Sequence, residues 1–154
     1  MSDSEKIIRM IKDGGVYYNI SGEKPEEIFS DIVSQLLLPP GVEASCLFDG
    51  LCEREGLMST SIGNGIALPH PRTPLIRQEK DERIYVCFLD KPVNFDAMDG
   101  KLVYVLFFIL SIDSTSHLNV LSRLSYLFQQ DGFRAVLKEK PDTNELITAI
   151  KKYL

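Results

Sequence analysis

Histidine is scarce in this sequence. His70 and His117 are the only two, far apart in the chain, and no pair of cysteines stands at metal-ligand spacing. That argues against a zinc centre, which needs four such donors or three and a water. Cysteine is scarce as well: Cys46, Cys52 and Cys87 are an odd number, at spacings that fit neither a disulfide framework nor a zinc knuckle. The reading is a cytoplasmic protein with reduced thiols. Cys46 and Cys52 fall on a predicted helix and Cys87 inside an apolar strand, so buried structural thiols are favoured over a Cys–His hydrolase. No run of lysine or arginine breaks the net charge of −5, which disfavours binding to nucleic acid or an anionic membrane through bulk charge. The longest apolar run, Leu102 to Leu110, is far short of the roughly 20 residues that span a bilayer. The opening MSDSEKIIRM is too polar for a secretory signal. Neither nucleic-acid binding nor direct membrane insertion is expected.

What is present is the pattern of one globular domain covering residues 1–154, with 44% hydrophobic and 25% charged residues. Ser4 to Asp13 reads as a helix stopped by Gly14-Gly15, and Val16 to Ile20 as a short strand. Pro25, Glu26 and Glu27 open a second helix with the stripe Ile28, Phe29, Ile32, Val33, Leu36, Leu37, ended by Pro39-Pro40. A third runs from Glu43 to Glu55 with Ala44, Leu47, Phe48 and Leu51 inward and Gly56 after its end. Ile66 to Leu68, Ile84 to Leu89 and Leu102 to Leu110 are short apolar runs. The last lacks alternation and is expected as a central strand covered on both faces. Asp99-Gly100 marks a turn before it.

Near the C-terminus, Ser116 is expected to cap a helix whose Leu118, Leu121, Leu124, Leu127 and Phe128 face the core. A short helix lies near Gly132 to Glu139. Asp142 and Glu145 have capping-box spacing ahead of a final helix. Helices at both ends around a block of strands imply an α/β (α+β) fold, a three-layer α/β/α sandwich with a central mixed sheet.

The stretch from Ser59 to Arg72, STSIGNGIALPHPR, carries the chemistry. Gly63-Asn64-Gly65 forms a turn, a short apolar strand follows, and His70 then stands between Pro69 and Pro71. Each proline holds the residue before it extended, and neither has an N–H, so His70 sits on a stiff segment where a sheet gives way to a loop. Taken alone, Pro-His-Pro fits a strand end with a surface histidine equally well. The glycine turn is neither a Walker loop nor a dinucleotide fingerprint.

The stretch resembles the enzyme IIA domains of the fructose/mannitol and nitrogen-regulatory branch of the bacterial phosphotransferase system. Arg54-Glu55, Ser59-Thr60, Gly63, Gly65, Ile66, Ala67, Leu68, Pro69 and His70 follow that family's pattern in order, and the likeness runs from about Val16 to the C-terminus. It implies that His70 accepts a phosphoryl group from the histidine phosphocarrier protein. The group then passes to a IIB domain or serves as a signal to a regulatory protein target. It further implies that His117 hydrogen-bonds the phosphoryl group, that Arg54 stabilises its charge, and that Thr60, Gly63 and Gly65 form a supporting loop. No metal or cofactor is implied. Pro71 departs from the family, where glycine is common; it stiffens the loop and leaves the histidine intact.

Residue chemistry agrees with these roles: two imidazoles titrating near neutrality suit a nucleophile, and a helix N-terminus attracts phosphate. No fused IIB or IIC segment and no DNA-binding region ahead of Ser4 is seen. A nitrogen-regulatory role is therefore expected, the alternatives being the fructose/mannitol-type IIA component of a sugar transporter or a non-catalytic regulatory module. An apolar patch of Met58, Leu68, Pro69, Pro71, Pro74, Leu75 and Ile76 is expected to meet a partner beside His70.

Overall fold

The computed structural model describes residues 2–154. Among them, six helices and five strands follow in the order α1 (Asp3–Gly14), β1 (Gly15–Ile20), α2 (Pro25–Gln35), α3 (Ala44–Leu57), β2 (Ser61–Gly63), β3 (Ile66–Ala67), β4 (Arg83–Val93), β5 (Val103–Leu110), α4 (Ser114–Phe128), α5 (Asp131–Lys138) and α6 (Thr143–Tyr153). A single 3-10 turn, Glu79–Asp81, precedes β4. The strands lie in the order β1-β4-β5-β3-β2. β1 runs parallel to β4 and β3 parallel to β5, while the β4–β5 and β2–β3 pairs are antiparallel, so the sheet is mixed.

The middle strands read as unbroken apolar runs because both faces are covered. Val105, Phe107 and Ile109 of β5, with Ile84, Val86 and Phe88 of β4, pack under α1, α4, α5 and α6. The residues between them, Leu106, Phe108 and Leu110 with Tyr85, Cys87 and Leu89, pack against α2 and α3. That is the expected α/β/α sandwich. Asp99-Gly100 does turn the chain, with the Gly100 amide on the Ala97 carbonyl at 3.0 Å. It belongs to a long connection between β4 and β5, not to a tight hairpin.

Several details differ from the sequence reading. α2 ends at Gln35, with Leu36 already extended, and Leu37 points into solvent. Pro39 and Pro40 carry no N–H for the carbonyls of a further turn, so the helix stops before reaching them. α3 runs through Gly56 to Leu57, and the extended Met58 ends it; Ala44 and Cys46 on it are exposed. The cap of α4 is Asp113, whose carboxylate accepts the Ser116 amide at 2.9 Å. Ser116 lies inside the first turn, and its hydroxyl is bound elsewhere. Leu118 is 64% exposed, because it lies roughly 200° around the helix from buried Val120. β2 was absent from the sequence reading: Ser61 and Gly63 pair with Ala67 and Ile66, closing a small hairpin through Asn64-Gly65. The Asp142–Glu145 capping box of α6 is present as expected.

Candidate functional site

The hairpin that ends at His70 is fixed from below by one carboxylate. Glu55, near the end of α3, accepts the Thr60 amide at 2.8 Å and the Thr60 hydroxyl at 2.7 Å. The Thr60 carbonyl then accepts the Leu68 amide at 3.0 Å, and on the other side the Ile109 amide of β5 donates to the Pro69 carbonyl, also at 3.0 Å. The missing Pro69 N–H costs nothing here, since at that residue the sheet uses only the carbonyl. Beyond the histidine, Pro71 packs so closely on Gly50 of α3 that a β-carbon at Gly50 would stand 2.9 Å from the ring. The imidazole is thus held from both sides of its chain.

The ring itself has a defined tautomer. His70 Nδ1 lies 2.9 Å from the Leu68 carbonyl. A carbonyl only accepts, so Nδ1 carries the proton and Nε2 keeps a free lone pair. Half-burial pulls the His70 pKa below its ordinary value, the hydrogen bond to Leu68 opposes that, and the charge of Arg54 adds to it. His117, in the first turn of α4, brings its ring to 4.2 Å from that of His70, centroid to centroid, with 49° between the planes. Its Nδ1 is 3.3 Å from the Ser111 hydroxyl, while its buried Nε2 has no partner among the described residues. Burial first, then His70 and Arg54, push the His117 pKa down to about 4. His117 therefore does not titrate near neutrality as expected from sequence, and His70 is shifted in the same direction; the shift favours the neutral ring, which leaves a nucleophilic lone pair available.

Arg54 acts on both rings by charge. One of its N–H groups donates to the Met58 carbonyl at 2.6 Å, which holds the guanidinium while leaving other donors unspent. The rings open into a pocket of about 350 Å³ that Arg72, Ser111, Ser114 and Leu118 also line. The Ser114 and Thr115 amides, in the first turn of α4, have no carbonyl within the helix to bond. A neutral nucleophile, an unpartnered imidazole nitrogen, the Arg72 cation and a helix N-terminus thus line one small volume, with the Arg54 charge near enough to act on both rings. That combination suits an incoming phosphoryl group.

The structure sets His70 against His117, places Arg54 near enough to act on both by charge though outside the pocket lining, and ties Thr60 to His70 through Leu68. Gly63 and Gly65 lie at the other end of the hairpin, where Gly65 (φ +81°) presses on the Tyr104 ring; they line no part of this pocket. The expected apolar patch is smaller than the sequence implied. Leu68, Pro69, Pro71 and Ile76 are buried under the loop, leaving Met58, Pro74 and the half-covered Leu75, with Leu118 added. Sequence reasoning did not single out Ser111, and a serine after an apolar strand carries no signal of its own.

A model of the family described as "Phosphoenolpyruvate-dependent sugar phosphotransferase system, EIIA 2" matches residues 9–153. The nitrogen regulatory protein of Pseudomonas aeruginosa is 29% identical over 144 residues, covering 92% of each chain. The crystal structure of nitrogen regulatory protein IIA-Ntr from Neisseria meningitidis superposes with a TM-score of 0.73 at 26% identity, over 93% of this chain and 94% of that one. Enzyme IIA-Mtl of Escherichia coli, solved in complex with phosphorylated enzyme IIB-Mtl, shares the fold at TM-score 0.66 and 15% identity, over 90% and 94% of the two chains.

Proposed function

This chain belongs to the EIIA 2 family of the phosphoenolpyruvate-dependent sugar phosphotransferase system, and from that premise we propose that it is a phosphohistidine carrier of the nitrogen-regulatory type, with Nε2 of His70 as the acceptor. The observation that carries the reading is the Nδ1 hydrogen bond to Leu68, which frees Nε2 of a ring 4.2 Å from that of His117, whose own Nε2 is unpartnered. The donor is the phosphocarrier protein's own phosphohistidine. The Nε2 lone pair of His70 attacks phosphorus while the donor nitrogen leaves with the electrons of the broken P–N bond. The proton stays on Nδ1, donated to the Leu68 carbonyl, and the positive ring keeps the new P–N bond labile enough to pass on. With the Ser111 hydroxyl donating a hydrogen bond to its Nδ1, neutral His117 carries its proton on Nε2 and donates it to a phosphoryl oxygen, and Arg54 balances the charge. Catalysis is positioning and electrostatics.

A onward recipient is either a IIB domain or a regulatory protein. The regulatory role is favoured by relatives named nitrogen regulatory proteins over nearly the whole chain. The test is incubation with phosphoenolpyruvate, enzyme I and the phosphocarrier, followed by mapping of an acid-labile label. The expected result is one phosphoryl group on Nε2 of His70, absent in His70→Ala. Label persisting in that variant, or residing on a hydroxyl, overturns the assignment.

A further inference from the structure

Behind the two histidines lies a buried carboxylate to which the phosphocarrier reading gives no part. Glu82, the residue before β4, is 0% exposed. Its Oε2 accepts the Ser116 hydroxyl at 2.6 Å and the Ile112 amide at 3.1 Å. Its Oε1 faces the ammonium of Lys6 in α1 at 3.1 Å, and that ammonium also donates to the Ser116 hydroxyl at 2.7 Å. One side chain thereby joins α1, the start of β4, the β5–α4 connection and the first turn of α4.

The placement of those contacts is what matters. Ser111 immediately precedes Ile112, and His117 immediately follows Ser116. Glu82 therefore grips the chain neighbour of each partner in the Ser111–His117 contact. At 3.3 Å that contact is already near the long limit of a hydrogen bond, so a small rotation of the helix start against the loop breaks it. Stability gives little reason to bury such a group, because a buried ion pair seldom outdoes well-packed apolar residues of the same volume. Fixing a direction is a better reason.

We propose that Glu82, with Lys6 and Ser116, is the positioning group for His117. It locks the first turn of α4 onto residues 111–112, so that Nδ1 of His117 meets Ser111 and Nε2 faces His70. The purpose of this arrangement rests on the phosphocarrier reading; the arrangement itself does not.

The experiment compares wild type, Glu82→Gln and Lys6→Met as full chains labelled with nitrogen-15. Long-range imidazole spectra report the tautomer of each histidine, and phosphorylation by the phosphocarrier reports kcat and KM. Glu82→Gln keeps the shape while removing the charge and one acceptor. The expected result is a single His117 tautomer in wild type and, in both variants, His117 ring nitrogens moving toward the averaged positions of a mixed tautomer, with His70 unmoved. With it, kcat falls about 10- to 100-fold while KM stays within about a factor of two. His117 signals that remain at their wild-type positions in the folded variants overturn the proposal, as does a rate loss no larger than the unfolded fraction. Should Glu82→Gln not fold, Ser116→Ala removes the bridging hydroxyl and is judged by the same two outcomes. If wild-type His70 takes no phosphoryl group, the functional reading fails, while the tautomer comparison still decides the positioning.

Discussion

Glu55 holds Thr60 at both its amide and its hydroxyl, at 2.8 and 2.7 Å, and so fixes the strand whose Leu68 carbonyl sets the tautomer of His70. Thr60 is buried, and removing the carboxylate leaves two donors without acceptors. Glu55→Ala is expected to lower stability by about 1–3 kcal/mol. Glu55→Gln retains one acceptor and loses less. Urea midpoints measure both; equal midpoints for Glu55→Ala and wild type contradict the role given to this carboxylate.

Stability should carry the imprint of the neutral histidine pair. The ordinary imidazole pKa is 6.5; folding lowers that of His70 and pushes that of His117 to about 4. Between about 4 and 6.5 the unfolded chain binds more protons, so stability rises with pH across that window, is fully present above it, and is lost as pH falls through it. The His117 share is about 1–2 kcal/mol, screening at a partly exposed ring included. His117→Gln should flatten the difference between urea midpoints at pH 4.5 and 7.5. Parallel pH profiles for the two proteins would remove His117 as the cause.

The sheet was legible because Ile84 to Leu89 of β4 and the whole of β5 are unbroken apolar runs, which a strand covered on both faces explains. Helix ends were less so. Ser116 looks like a cap, but its hydroxyl is taken by Glu82, and Asp113 does the capping. β2 is a strand only because β3 lies beside it; Ser-Ile-Gly has no strand signature of its own. The meeting of the two histidines depends on topology. β3 lies parallel to β5 with Pro69 bonded to Ile109, which sets His70 level with the chain leaving β5 toward His117. No periodicity encodes that, and only family resemblance joined the two residues beforehand. Glu82 was invisible, since it sits among charged residues in a stretch that reads as a surface loop.

Arg54 should matter through its fork as well as its charge. One N–H is committed to the Met58 carbonyl, which leaves the remaining donors free for a phosphoryl oxygen, and the guanidinium is near enough to act on both rings by charge. Loss of a charge-assisted contact to a phosphoryl oxygen is worth about 1.5–3 kcal/mol, roughly 10- to 150-fold in rate. Arg54→Ala is expected to slow phosphoryl transfer by that factor with little change in the melting temperature, and Arg54→Lys to fall between. Rapid-quench kinetics decide it; Arg54→Ala at the wild-type rate returns the residue to an ordinary helix-end cation.

On the phosphocarrier reading, a partner docking around the pocket should respond to charge. Leu118 is 64% exposed, Pro74 is exposed as well, and both line the same pocket as the two histidines. A phosphoryl group on His70 adds about −1.5 to −2 charges at the centre of that rim. A partner packed dry on the rim would then confront an unpaired anion, whose desolvation costs several kcal/mol unless a cation meets it. Phosphorylation should therefore release a partner with an apolar face and retain one that presents arginine. Leu118→Asp introduces charge at the rim without touching either histidine, so it should weaken the first kind of partner even in unphosphorylated protein, while His70 still accepts its phosphoryl group in the absence of that partner. Pull-downs from the native host with wild type, His70→Ala, His70→Asp and Leu118→Asp test this directly. Recovery of the same partners at the same affinity by all four proteins ends the switch idea. If the one specific catch is a IIB protein whose gene is needed for uptake of a single sugar, the transport role takes the place of the regulatory one.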